Sequence, residues 1–142
     1  MRRIATGMMM IALGWVIAGA RAVAPQDEVE QGQAVLHVLN KEVDFGGIPK
    51  DTVAEGILRI QNTGQAPLVI NTVHTDCGCT VASYSKAAIA PDSISEIKVR
   101  FNSKGRLPGK FRKIIRIRSN ASNPTAVAFV VGHVKQPLYR DK

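Results

Sequence analysis

The 142-residue sequence predicts an all-β fold, a single sandwich of seven or eight antiparallel strands over residues 34–136. Three observations carry that expectation. Apolar and polar residues alternate over short runs, the signature of half-buried strands. Clusters of Gly, Pro, Asn and Asp bound those runs at even spacing, as in a two-sheet sandwich. No window sustains the ~3.6-residue periodicity of an amphipathic helix.

The runs follow one another as AVLHVLN (34–40), VDFG (43–46), VAEGILRIQN (53–62), PLVINTV (67–73), TVASY (80–84), SISEIKVRF (93–101), GKFRKIIRIRS (109–119) and TAVAFVVGHV (125–134). Turn residues separate them: Gly46-Gly47 with Pro49, Asn62-Thr63-Gly64, Pro91-Asp92, Lys104-Gly105 with Pro108-Gly109, and Asn120 to Pro124. Ile97, Val99 and Phe101 share a face and leave Lys98 and Arg100 on the other, as in a strand with one side in the core. Ile115 and Ile117 alternate with Arg116 and Arg118 in the same way. Lys113 looks out of phase there, which predicts a bulge or an edge position. Val127 to Val131 is apolar on both faces and predicts a central strand. His37 and His133 fall inside strands and read as structural.

The N-terminus has a different composition. Met1-Arg2-Arg3 is followed by an uncharged run, Ile4 to Ala20, and then by small residues at cleavage spacing. This is the architecture of a secretory signal peptide over residues 1–22, cut after Ala20 or Ala22. An uncleaved membrane anchor is the alternative, at the lower limit of the roughly 17–25 residues that span a bilayer. Residues 23–33 are polar and acidic and read as a flexible linker, and 137–142 as a C-terminal tail. The leader therefore predicts an exported chain, secreted or delivered to a compartment beyond the cytoplasmic membrane.

Taken together, VDFGGI, IQNTGQAPLVI, TDCGCTV, IAPDS, IKVRFNSKGRLPGKF, IRIRSN and VVGHV resemble the bacterial envelope family known as domain of unknown function 1573. The resemblance spans about residues 43–134 and rests most on Asn62-Thr63-Gly64, Cys77-Gly78-Cys79-Thr80 and Ser119-Asn120. It implies an immunoglobulin-like sandwich, distantly similar to ASH, hydin and major sperm protein modules. Pro91-Asp92 stands where the family usually has Pro-Gly. The family has no assigned chemistry, so the resemblance implies fold and compartment rather than activity.

The chemically distinctive stretch is HTDCGCTV, residues 74–81, which holds both cysteines of the chain. In an extended strand the Cα atoms of i and i+2 stand about 6.6 Å apart, at the edge of what a disulfide spans. A positive φ at Gly78 would fold the two thiols together. Three readings of Cys77 and Cys79 stay open: a structural latch, a thiol-redox pair, or a metal site. Two soft thiolates suit Cu(I) better than Zn(II), with His74 as a third ligand. For the redox reading the neighbouring Asp76 is unfavourable, because it disfavours a thiolate.

Charge is uneven: residues 98–118 carry nine Lys or Arg and no acid. The sequence predicts a hairpin there, with Lys98, Arg100, Arg112, Arg116 and Arg118 as a basic surface patch. Such a patch is either a solvated face that blunts an edge strand or a contact for anionic lipid or polysaccharide. Nucleic acid is not an expected partner, since the chain reads as exported and no aromatics interleave the basic residues to stack bases. No nucleophile–base arrangement, phosphate-cradling loop or isolated carboxylate pair is recognisable. The function the sequence points to is a non-catalytic binding or assembly module of the envelope, meeting a protein partner by strands or loops, with no cofactor. The competing function is a periplasmic Cu(I)-binding or thiol-redox protein working through the Cys-Gly-Cys loop.

Overall fold

A computed structural model describes residues 32–136. The signal peptide, most of the linker and the C-terminal tail expected from the sequence lie outside the described residues. Eight strands form: β1 (Leu36–Val38), β2 (Glu42–Ile48), β3 (Val53–Asn62), β4 (Ile70–Thr75), β5 (Thr80–Tyr84), β6 (Ile94–Asn102), β7 (Gly109–Ser119) and β8 (Thr125–Val134). They pack as two four-stranded sheets, ordered β1-β3-β6-β5 and β2-β8-β7-β4. The alternation predicts β3, β5, β7 and β8 residue for residue. β1 is shorter than expected and β4 begins three residues later.

One pairing departs from the expected antiparallel pattern, because β2 runs parallel to β8. The cause lies at Asn40. There the chain leaves the first sheet and continues into the second without reversing, so it arrives alongside β8 in the same direction. The Asn40 side chain bridges the switch, its Nδ2 donating to the Ile57 carbonyl at 2.9 Å and its Oδ1 accepting from the Arg59 N–H at 2.6 Å.

The expected hairpin over 98–118 does not form. β6 and β7 belong to different sheets, so the connection between them crosses the end of the sandwich. Nor does Lys113 mark a bulge, since β7 keeps one continuous register with β8 from Gly109 to Arg118. Lys113 is in phase with Ile115 and Ile117 and faces inward, half-buried, where β4 has already ended. β8 is central, between β2 and β7, as its two apolar faces predict.

The main core lies between the sheets and includes Leu58, Ile60, Ile97, Val99, Ile115, Ile117 and Val130, all 0–1% exposed. Burying side chains of this size stabilises the fold by about 1.5–3 kcal/mol each before entropy is counted. Asn62 is wholly buried and satisfies four backbone groups. Its Oδ1 accepts from the Val35 and Gly64 N–H groups, and its Nδ2 donates to the Ala66 and Ile89 carbonyls. Gly64 follows because a Cβ there would stand 2.1 Å from the Gln33 carbonyl oxygen. The Asn-Thr-Gly element of the sequence is thus a packing requirement.

Candidate functional site

The β4–β5 connection, Asp76 to Cys79, crosses from one sheet to the other at the end of the sandwich where β2, β6 and β8 also finish. The pairing of β4 with β7 extends into it, since the Asp76 N–H donates to the Ile114 carbonyl at 3.3 Å. Continued by one residue, that register sets Cys77 opposite Lys113. On the other side the Asn102 N–H donates to the Cys79 carbonyl at 2.8 Å, so the loop is joined to both sheets.

Cys77 and Cys79 are bonded as a disulfide, with their Cα atoms 5.3 Å apart. That distance is well inside the usual range, and the loop reaches it without the left-handed backbone the sequence suggested. Gly78 is not among the positive-φ glycines, and a Cβ added to it would meet nothing within 4 Å. The turn comes instead from the Thr80 N–H donating to the Cys77 carbonyl at 3.2 Å. The Thr75 hydroxyl donates its one proton to the Thr80 carbonyl at 2.8 Å and lies 3.3 Å from the Cys77 carbonyl.

The two sulfurs have unequal surroundings. Cys79 is 5% exposed and packs in a small second core with Ile48, Phe101 and Val134. Phe101 stacks on Phe111 of the opposite sheet at 4.0 Å between centroids, and Phe45 flanks the pair. Cys77 is half-buried at the rim of this cluster. The Thr80 hydroxyl lies 3.7 Å from the Cys77 sulfur and 3.9 Å from that of Cys79. A cleft of about 200 Å³ opens beside the bond, lined by Val53, Gly78, Cys79, Arg100 and Asn102.

His74 is not gathered with the cysteines. It is exposed on the outer face of β4, paired in register with Arg116, whereas Val73, Thr75 and Cys77 follow the inward phase. Among the described residues no three His, Cys, Asp or Glu side chains cluster as a metal site. While the disulfide is closed, neither sulfur is a thiolate that could bind copper or zinc. Asp76 is ion-paired with Arg116, which offsets the charge that disfavours a thiolate beside it. Thr75, Thr80 and Lys113 are the site residues that the sequence analysis did not select. The CGCT string hints at Thr80, but only the fold brings in the other two.

The five basic residues expected to form one patch divide between opposite faces of the sandwich. Lys98 and Arg100 stand on the outer face of the first sheet; Arg112, Arg116 and Arg118 stand on that of the second. Three of them are engaged: Arg100 with Glu55 at 3.0 Å, Arg112 with Glu42 at 3.0 Å, and Arg116 with Asp76. Arg112 also lies 3.8 Å above the Phe129 ring.

The family model described as protein of unknown function, DUF1573, matches residues 36–134, from β1 through β8. The chain belongs to that family. No curated protein matches it in sequence. Among solved structures it is similar to a protein of unknown function from Porphyromonas gingivalis W83, with a TM-score of 0.60, 17% identity, and coverage of 70% of this chain and 46% of that one. It thus spans about half the length of that protein. It is also similar to the ASH/PapD-like domain 7 of human CEP192, with a TM-score of 0.61, 11% identity, and coverage of 74% and 88%. The periplasmic chaperone SfaE matches with a TM-score of 0.53, 9% identity, and coverage of 75% and 61%. At these identities the likeness establishes the immunoglobulin-like, PapD-type fold alone.

Proposed function

We propose that the chain is an exported, non-catalytic binding or assembly module of the bacterial envelope that meets a protein partner along a sheet edge. The open edge of β5 carries this reading. Among the described residues, β5 closes the first sheet with β6 on one side and no strand on the other. The Asn102 to Cys79 bond sets the ladder phase, so Cys79, Val81 and Ser83 bond β6 while the backbone groups of Ala82 and Tyr84 face outward. An extended segment can add to such an edge through main-chain hydrogen bonds. At the far edge of the same sheet Asn123 occupies that role, its side chain exchanging two hydrogen bonds with the Leu36 N–H and carbonyl. One edge is blunted and the other is left open.

Export is supported by the N-terminal leader pattern and by a disulfide, which persists in oxidising compartments. The fold shared with a periplasmic chaperone is consistent with protein–protein contact. The test is Ala82→Pro, which removes one outward N–H and no ladder bond. A photocrosslinker at Ser83 should trap an envelope protein in the unsubstituted chain and lose it in Ala82→Pro, with circular dichroism unchanged. Equal crosslinking in both would remove the edge from the function.

A further inference from the structure

We propose that the Cys77–Cys79 disulfide is an exchange centre that oxidises a dithiol on a polypeptide partner, with Cys77 the sulfur attacked and Cys79 the sulfur that leaves. The proposal is independent of the edge-binding reading, and the exchange is stoichiometric, one partner dithiol oxidised per chain reduced. It rests on four observations made at the loop.

An attacking thiolate needs access to one sulfur, in line with the bond it breaks. Cys77 is half-buried at the rim, whereas Cys79 is 5% exposed against Phe101 and Ile48, so the approach is to Cys77. The leaving sulfur needs a seat that exists before the bond breaks. Cys79 has one, since the Asn102 N–H holds its carbonyl and its side chain is packed in the small second core; the Thr80 hydroxyl, 3.9 Å from its sulfur and 3.7 Å from that of Cys77, is a donor within reach of either thiolate. The frame of the loop must survive the loss of the bond. The Thr75 hydroxyl bond to the Thr80 carbonyl and the turn bond from Thr80 to Cys77 hold it without help from the sulfurs. Finally, a peptide needs somewhere to lie, and the cleft lined by Val53, Gly78, Cys79, Arg100 and Asn102 adjoins the bond from its Cys79 end. The β4–β7 register, continued past Thr75, sets the half-buried Lys113 opposite Cys77, and Asp76 is already engaged by Arg116.

The chemistry is two successive exchanges. A partner thiolate attacks the Cys77 sulfur, forming a partner–Cys77 bond while the Cys77–Cys79 bond breaks and Cys79 departs as a thiolate. The second partner thiolate then attacks the partner sulfur of that mixed disulfide and releases Cys77 as a thiolate. The partner dithiol is oxidised to a disulfide, and the protein disulfide is reduced to a dithiol by the same two electrons. The two protons given up by the partner thiols are taken by Cys77 and Cys79.

The test uses the full chain, folded and without denaturant. Cys79→Ser and Cys77→Ser chains are each exposed to glutathione disulfide and followed by intact mass. The Cys79→Ser chain, with Cys77 free, should gain the glutathionyl group at least about ten-fold faster than the converse variant. Equal rates, or a faster Cys77→Ser chain, overturn the assignment. The unsubstituted chain supplies a check that no variant can spoil. Mixed with a synthetic dithiol peptide and quenched by acid, it should yield a mixed disulfide that maps to Cys77, then one oxidised peptide per reduced chain. A mixed disulfide at Cys79, or a disulfide that resists the dithiol until the domain unfolds, refutes the proposal.

Discussion

Reducing the Cys77–Cys79 bond is expected to leave the sandwich folded and only slightly less stable. The bond joins residues two apart, so it constrains very little of the unfolded chain. For the three residues it encloses, the chain-entropy relation gives about 1.6 kcal/mol at ~25 °C, against about 3 kcal/mol for a fifteen-residue loop. The main core contains neither cysteine, and Cys79 remains an apolar filler beside Phe101 whether or not it is bonded. A domain with a typical stability of roughly 5–15 kcal/mol tolerates a loss of that size. The assay is urea unfolding followed by far-ultraviolet circular dichroism, with and without dithiothreitol. The chain's one tryptophan, Trp15, lies in the expected leader and would report nothing from the sandwich. With a urea slope of about 1–3 kcal/mol per molar, the midpoint should fall by roughly 0.5–1.6 M while the transition stays cooperative. A loss above about 3 kcal/mol, or a broad transition, would mean that the bond holds the two sheets together and would refute the reasoning.

Asn62→Ala should be far more damaging, by about 3–5 kcal/mol, because it strands four backbone groups in the interior; the same denaturation assay reads it. The two glycines of the Asn-Thr-Gly and Cys-Gly-Cys motifs should respond oppositely to alanine. Gly64→Ala drives a Cβ into the Gln33 and Val35 backbone and should cost more than about 2 kcal/mol, whereas Gly78→Ala should stay within about 0.5 kcal/mol and still show the disulfide by mass.

The strands were legible because alternation between a core face and a solvent face is written residue by residue. β3, β5, β7 and β8 each keep that alternation or a fully apolar run, so their ends follow from the turn residues. Lys113 misled for the same reason. A lysine reads as outward, yet at the end of the sandwich an inward position is only half covered, and a long stem can lie inside while its ammonium reaches water. The Asn62 motif was visible as a string, but its four partners come from the segment before β1 and from two connections, and meet only in the fold.

By itself the sequence determined the all-β class, the strands to within seven or eight, most of their faces and the loop in which both thiols sit. Those depend on local pattern, which neighbouring residues carry. Only the tertiary structure decided that β2 lies parallel to β8, that β6 and β7 join different sheets, and that the basic residues therefore divide between two faces. It also decided which cysteine is covered, and it turned His74 away from both. Those facts depend on which strands become neighbours, and a strand's alternation is the same whichever partner lies beside it.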